Sequence, residues 1–297
     1  MIIRALALVL VLAVLGGGVW QHMRYLQVRR TVLDDRQPLV YAGRTFHVLT
    51  FVKIDLGKSI IDEVRSLREL IEVPGGGLVV YAGQAGPAVV VSEQIPSDWS
   101  ALVFAQYPSR KIYDEFSASE RYRTGIKRFE RAYDHGVERS AGINLILPQG
   151  LLVLRLFDML RGAPSSFPFV PAGDEASPKQ QAKMKEMEQL DTLRSLREDA
   201  VVIFNLIKPG SEKEQSADRS YTRKMLRGMA EGGYGPMHMG RAITIEGEAD
   251  FEQFAAVYYP GIDFLQKMIG SSFMARIGGD KQLGDSLAVV TVPIHFD

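Results

Sequence analysis

The chain carries one short pattern twice, and the distance between the copies limits what it can fold into. Asp98-Trp99-Ser100-Ala101-Leu102-Val103-Phe104-Ala105-Gln106-Tyr107-Pro108-Ser109 returns as Asp250-Phe251-Glu252-Gln253-Phe254-Ala255-Ala256-Val257-Tyr258-Tyr259-Pro260-Gly261. Each copy reads as an acid, an aromatic, a short apolar strand, then Tyr-Pro opening a helix. Trp99 and Phe251 are 152 positions apart, as are Tyr107 and Tyr259. Solenoid periods run roughly 20–50 residues, so this spacing marks a duplicated domain. The 297 residues hold about two domains of roughly 150 each.

The surrounding patterns extend the match. In the first copy, residues 40–148, Phe46–Val52 is a strand by its β-branched and aromatic content. Ile60, Ile61, Val64, Leu67, Leu70 and Ile71 follow at helical spacing, and Pro74 with Gly75–Gly77 stops that helix. Leu78–Tyr81 and Ala88–Glu93 read as one broken strand, Trp99–Tyr107 as the next, and Pro108 begins a helix. Ile143–Leu147, before Pro148, is expected to be the last strand. The second copy, residues 200–297, repeats the order with strands at 200–207, 237–246, 251–258 and 287–294. Lys53 matches Lys208, and Glu93 matches Glu246. Both copies give β-α-β-β-α-β, the ferredoxin-like split unit. Between them, residues 149–199 hold an apolar helix over Leu151–Leu160, a Pro-rich linker, and an amphipathic helix starting at Ser177-Pro178.

The first 30 residues form a separate segment. Ala5 to Trp20 is uncharged and apolar, close to the roughly 20 residues a helix needs to cross a bilayer. Trp20 and Tyr25 sit where interfacial aromatics are expected. The reading is an uncleaved signal anchor, a transmembrane helix holding the remainder at the inner (cytoplasmic) membrane on its exported, periplasmic side. The membrane is the expected partner of this helix.

Composition removes several classes of function. There is no cysteine, hence no thiolate nucleophile, Cys-bound zinc or iron–sulfur cluster. Basic and acidic residues number 35 each, which gives no global signal for nucleic acid.

The paired glycines Gly232-Gly233, a strand ending in Glu246-Gly247, and Tyr259-Pro260 at a helix entrance resemble the DUF1330-like families of the dimeric α/β-barrel superfamily. The first copy has Gly76-Gly77, Glu93 followed by Gln94 in place of glycine, and Tyr107-Pro108. The resemblance implies two ferredoxin-like sheets packed face to face. Such families usually use two chains; here one chain supplies both halves as an intramolecular pseudo-dimer. The physical reason is that each sheet has helices on one face only, so its other apolar face needs a cover. The superfamily includes heme-dependent and cofactor-free oxygenases and isomerases, so the fold does not choose a function.

Candidate chemistry is sparse. Gly57-Lys58-Ser59 lies between a strand and a helix, but Val52 stands where a phosphate-binding loop needs glycine. The histidines are His22, His47, His135, His238 and His295, and the fold could unite His47, His238 and His295. His238 suits a base or ligand role on a strand, against a bland reading as a packed residue. Glu246 at a strand end is a candidate base, or a turn contact. Tyr259 could donate to a ligand carbonyl, or pack the strand–helix turn. Asn205 interrupts an apolar strand and suggests a polar pocket floor. With Arg241 these form the candidate pocket: Asn205, His238, Arg241, Glu246 and Tyr259. Arg121–Arg123, Lys127, Arg128 and Arg131 read as a basic helix whose acids favour a solvated face. No cofactor is predicted, with heme as the alternative to test. The leading expectation is a membrane-anchored, non-catalytic module binding a small-molecule ligand or a protein partner. The alternative is a small-molecule oxygenase or isomerase with its pocket in the second repeat.

Overall fold

A computed structural model describes residues 2–32, 45–139, 141–280 and 283–296. The chain begins with helix α1 (Ile2–Val32), followed by the first repeat: β1 (Phe46–Lys53), α2 (Ile60–Ile71), β2 (Leu78–Val90), β3 (Ala101–Tyr107), α3 (Arg110–Ser117), α4 (Glu120–Ile126) and β4 (Arg131–Arg139). Helices α5 (Ala141–Leu160) and α6 (Pro178–Met187) connect it to the second. That repeat holds β5 (Val201–Ile207), α7 (Glu212–Gly232), β6 (Gly235–Thr244), β7 (Gln253–Tyr259), α8 (Ile262–Ile269), α9 (Ser272–Ile277) and β8 (Leu287–Pro293).

The strands close into one barrel in the order β1-β3-β2-β8-β5-β7-β6-β4, with every neighbouring pair antiparallel. Each repeat contributes four adjacent strands in ferredoxin-like order. Two seams join them, β2 to β8 and β4 to β6. This is the dimeric α/β-barrel architecture within one polypeptide. Closure removes the unpaired edges that each half would otherwise present.

Strand alternation sorts the side chains into three cores. Leu49, Phe51, Leu102, Phe104, Val202, Phe204, Phe254 and Val289 point into the barrel and come from both repeats. Val48, Val103, Leu67 and Tyr113 form the layer between the first sheet and its helices. Ile203, Val257, Leu265 and Met225 do the same for the second. The greasy inner faces therefore cover each other, as the sheet argument requires.

The repeated motif has a local cause. Lys53 Nζ donates to Asp98 O at 2.8 Å and pairs with its carboxylate at 3.1 Å; Lys208 pairs with Asp250 at 2.7 Å. The matched lysine and acid thus clip the end of the first strand to the entrance of the third in both halves. Beside each clip, Ser100 N donates to Val52 O and Glu252 N to Ile207 O, both at 2.9 Å. Both repeats also carry a bulge at the equivalent point, between Val79 and Tyr81 and between Pro236 and His238. A Cβ on Gly77 would meet the Tyr107 ring at 2.8 Å, which explains one glycine of the pair.

Two expectations are corrected. The last strand of the first repeat is Arg131–Arg139, while Ile143–Leu147 lies inside α5, which continues through Pro148. The strand's polar residues hid it. The basic helix consequently ends at Ile126; Arg128 binds Glu63 at 2.7 and 2.9 Å, and Arg131 binds Asp98 at 2.5 Å. The expected membrane span is also corrected: among the described residues no helix is long and apolar enough to cross a membrane.

Candidate functional site

Three histidines face the barrel interior with no solvent exposure: His47 on β1, His135 on β4 and His238 on β6. The His47 ring stacks on Phe104 at 5.2 Å, and His238 meets Phe104 edge-on at 5.5 Å. Arg139 Nη1 lies 3.2 Å from His47 Nε2. Arginine only donates, so that nitrogen accepts and the ring is neutral with its proton on Nδ1. His135 Nδ1 meets the Tyr133 hydroxyl at 3.0 Å, and its Nε2 has no hydrogen-bond partner among the described residues. Burial pushes the His135 imidazole down to about 4, so it too is neutral near pH 7. His295 is elsewhere, against Arg197 at the surface. The side chain of His22 lies outside the described residues.

Sequence reasoning grouped five residues that the barrel distributes. His238 alone points inward. In the ladder Asn205 faces Ala255, which packs in the outer core, and its amide donates to Ile203 O at 3.1 Å and Ala255 O at 3.0 Å. Tyr259 is buried in the same outer layer, 5.3 Å from the Tyr234 ring. Arg241 binds Glu138 at 2.6 Å beside an open groove of ≈ 510 Å³ also lined by Met239, Gln253 and Ala255. Glu246 lies past the end of β6, its Oε2 accepting from Asp134 N at 3.4 Å. Partial burial, then the nearby Asp134 charge, raise its carboxyl above the usual range. These five do not form one pocket. Lys58 pairs with Asp55 at 2.5 Å and Ser59 caps α2, which leaves no phosphate cradle there.

The barrel interior does not fit heme. Phe104 occupies its centre, 6.1 Å from Phe204 and 5.3 Å from Phe254, and Tyr81 lies 4.9 Å from Phe204. A macrocycle bound through His238 would need the volume these rings fill.

A site the sequence did not indicate lies at one end of the second repeat. A groove of ≈ 260 Å³ runs between α1, α5 and α7 and reaches β6 and β7. Trp20, Tyr25, Leu151, Met159, Tyr234 and Tyr258 supply apolar and aromatic walls, and Met237 forms part of the boundary beside His238. Arg24 and Arg155 also line it. The Tyr25 hydroxyl donates to Pro236 O, tying α1 to the start of β6. Burial raises the phenols of Tyr258 and Tyr234, so both remain protonated donors. The groove escaped sequence reasoning because two of its walls come from outside the repeats.

No family model matches the chain, and no curated protein matches it. Solved structures do. An anthrone oxidase-like protein aligns at 9% identity with a TM-score of 0.47, over 85% of this chain and 92% of its own. A protein described as a monooxygenase from Lactobacillus acidophilus NCFM aligns at 7% identity and TM-score 0.40, over 84% and 94%. A mutant chlorite dismutase from Candidatus Nitrospira defluvii aligns at 11% and 0.36, over 87% and 96%. The membrane-anchored part of the leading expectation is corrected: among the described residues no helix is long and apolar enough to cross a membrane. The oxygenase or isomerase alternative is the one carried forward.

Proposed function

We propose that the protein is a small-molecule oxygenase or isomerase whose pocket is the groove at the second repeat. The observation that carries this reading is the pairing of apolar, aromatic walls with two arginines in one groove of ≈ 260 Å³. Such a lining suits a molecule with an apolar ring system and one anionic oxygen. Arg24 and Arg155 would favour the ionised form of an acidic phenol or enol, and the Tyr258 hydroxyl would hydrogen-bond its oxygen. None of the groove-lining residues is a carboxylate or histidine, so the substrate would ionise into solvent as it binds. An electron-rich anion bound in such a groove can react with dioxygen, or be reprotonated at a different carbon.

Trp20 provides the test, because the only other tryptophan, Trp99, is buried within the barrel core. 1-Hydroxy-2-naphthoate is expected to quench Trp20 fluorescence saturably, and Arg155→Gln to weaken that binding about tenfold. Enolisable aromatic ketones should then show either oxygen uptake or solvent-deuterium exchange at carbon. Saturable binding with neither reaction across such compounds would contradict the enzymatic reading.

A further inference from the structure

Large exposed apolar side chains are concentrated on two helices that pack together. Among the described residues 19 are of this kind, eight on α1, seven on α5 and four on everything else. Val14 and Val19 on α1 are 66% and 64% exposed, and Met159 and Leu160 on α5 are 69% and 84% exposed. A folded protein seldom leaves so large a continuous apolar patch in water without a function for it.

The charges beside the patch have one sign. Helix α1 contains no acidic residue, and its Arg24 lies over the Trp20 ring, 5.7 Å from its centroid. On α5, Arg155 is exposed, and the single acid, Asp158, is engaged by Arg227 at 3.5 Å. Arg161 follows immediately after α5, over the Phe157 ring at 5.9 Å. An apolar helix pair edged by arginines and a tryptophan has the composition of a face that lies in a lipid interface, with its cations at the headgroups.

We propose that α1 and α5 together form a docking face for an anionic phospholipid surface. The helices lie on the bilayer and do not cross it, and the barrel stays in water. The inference is independent of the enzymatic reading of the groove. It does place the groove, whose walls include both helices, close to the lipid boundary.

The test is co-sedimentation of the full chain with vesicles of phosphatidylcholine alone and of phosphatidylcholine mixed with phosphatidylglycerol. The protein is expected to pellet with the mixed vesicles and to be partly released by 0.5 M salt, as roughly one Debye length of 3–5 Å then screens the headgroups. Phe157→Ser with Leu160→Ser should weaken pelleting about tenfold or more while circular dichroism and melting temperature stay unchanged. The exposed loop variant Leu56→Ser should pellet as the parent does. Failure to pellet with either vesicle would overturn the proposal. So would pelleting that the α5 double variant leaves intact, or a stable dimer in light scattering that buries this face and abolishes vesicle binding.

Discussion

The two halves share a backbone plan but solve the same internal positions with different chemistry. The β1–β4 ladder sets Thr50 opposite Asp134, and the corresponding β5–β8 ladder sets Asn205 opposite Ala288. In the first half Asp134 is buried beneath the helices, where it accepts from Thr50 at 2.6 Å, Tyr113 at 2.8 Å and Tyr122 at 2.5 Å. The second half has Leu265 and Met274 at the positions equivalent to those tyrosines, and its layer is apolar. Inside the barrel the residue sizes are exchanged: Leu49 faces Phe104 in one half, and Phe204 faces Ala256 in the other. A single chain permits this. In a symmetric dimer both halves would carry a phenylalanine at the position of Phe104, whereas here the equivalent residue of the second half is Ala256. Duplication conserved the clips and bulges and released the interior from symmetry.

Exchanging residues between halves tests how far this divergence is fixed. The largest effect is expected for Ala288→Asp, which buries a carboxylate among Leu265 and its apolar neighbours without the tyrosine donors. It should cost about 5 kcal/mol in urea denaturation. Phe104→Ala, which imports the residue of the second half, should cost about 4 kcal/mol through the cavity left at the barrel centre. His135→Val, importing Val289, sharpens the comparison through pH. The folded value of His135 is depressed to about 4 from 6.5, so the folded state binds fewer protons over that interval. Its contribution is fully present above pH 6.5 and is lost as the pH falls towards 4, about 3 kcal/mol in all. The His135→Val variant should lack that acid-side loss in denaturation curves measured across the window.

Asp134→Ala should cost about 2 kcal/mol, because three donors lose their acceptor while a buried charge is also removed. Burial raises the Asp134 carboxyl, against the lowering effect of its three donors. Stability should therefore fall as the pH rises through the range just above the ordinary carboxylate value, and Asp134→Asn should flatten that slope. The smallest effects belong to the clips. Lys53→Met and Lys208→Met should change the denaturation midpoint alike and barely measurably, as expected of solvated ion pairs.

The duplicated Tyr-Pro motif made the barrel legible, because strand period and spacing record backbone demands that both halves share. The strand Arg131–Arg139 was not legible. Asp134 and Glu138 are satisfied by partners on other elements, the tyrosines and Arg241, and His135 by Tyr133 on its own strand. The apolar run of α5 imitated the missing strand, since a short greasy stretch has no distinctive period. The proposed pocket failed for a related reason. Asn205, Arg241 and Tyr259 occupy outward positions of their strands while His238 follows a bulge and points inward, and register cannot be read from residue type.

The central claim is that one polypeptide closes both seams of its own barrel. With no native cysteine to compete, Glu138→Cys with Arg241→Cys tests the β4–β6 seam directly, since the two residues are ladder partners. Mild oxidation at low protein concentration should yield an intramolecular disulfide in a monomer-sized species, identified by non-reducing peptide mapping. A crosslink found only between two chains, or the absence of any crosslink, would contradict the account.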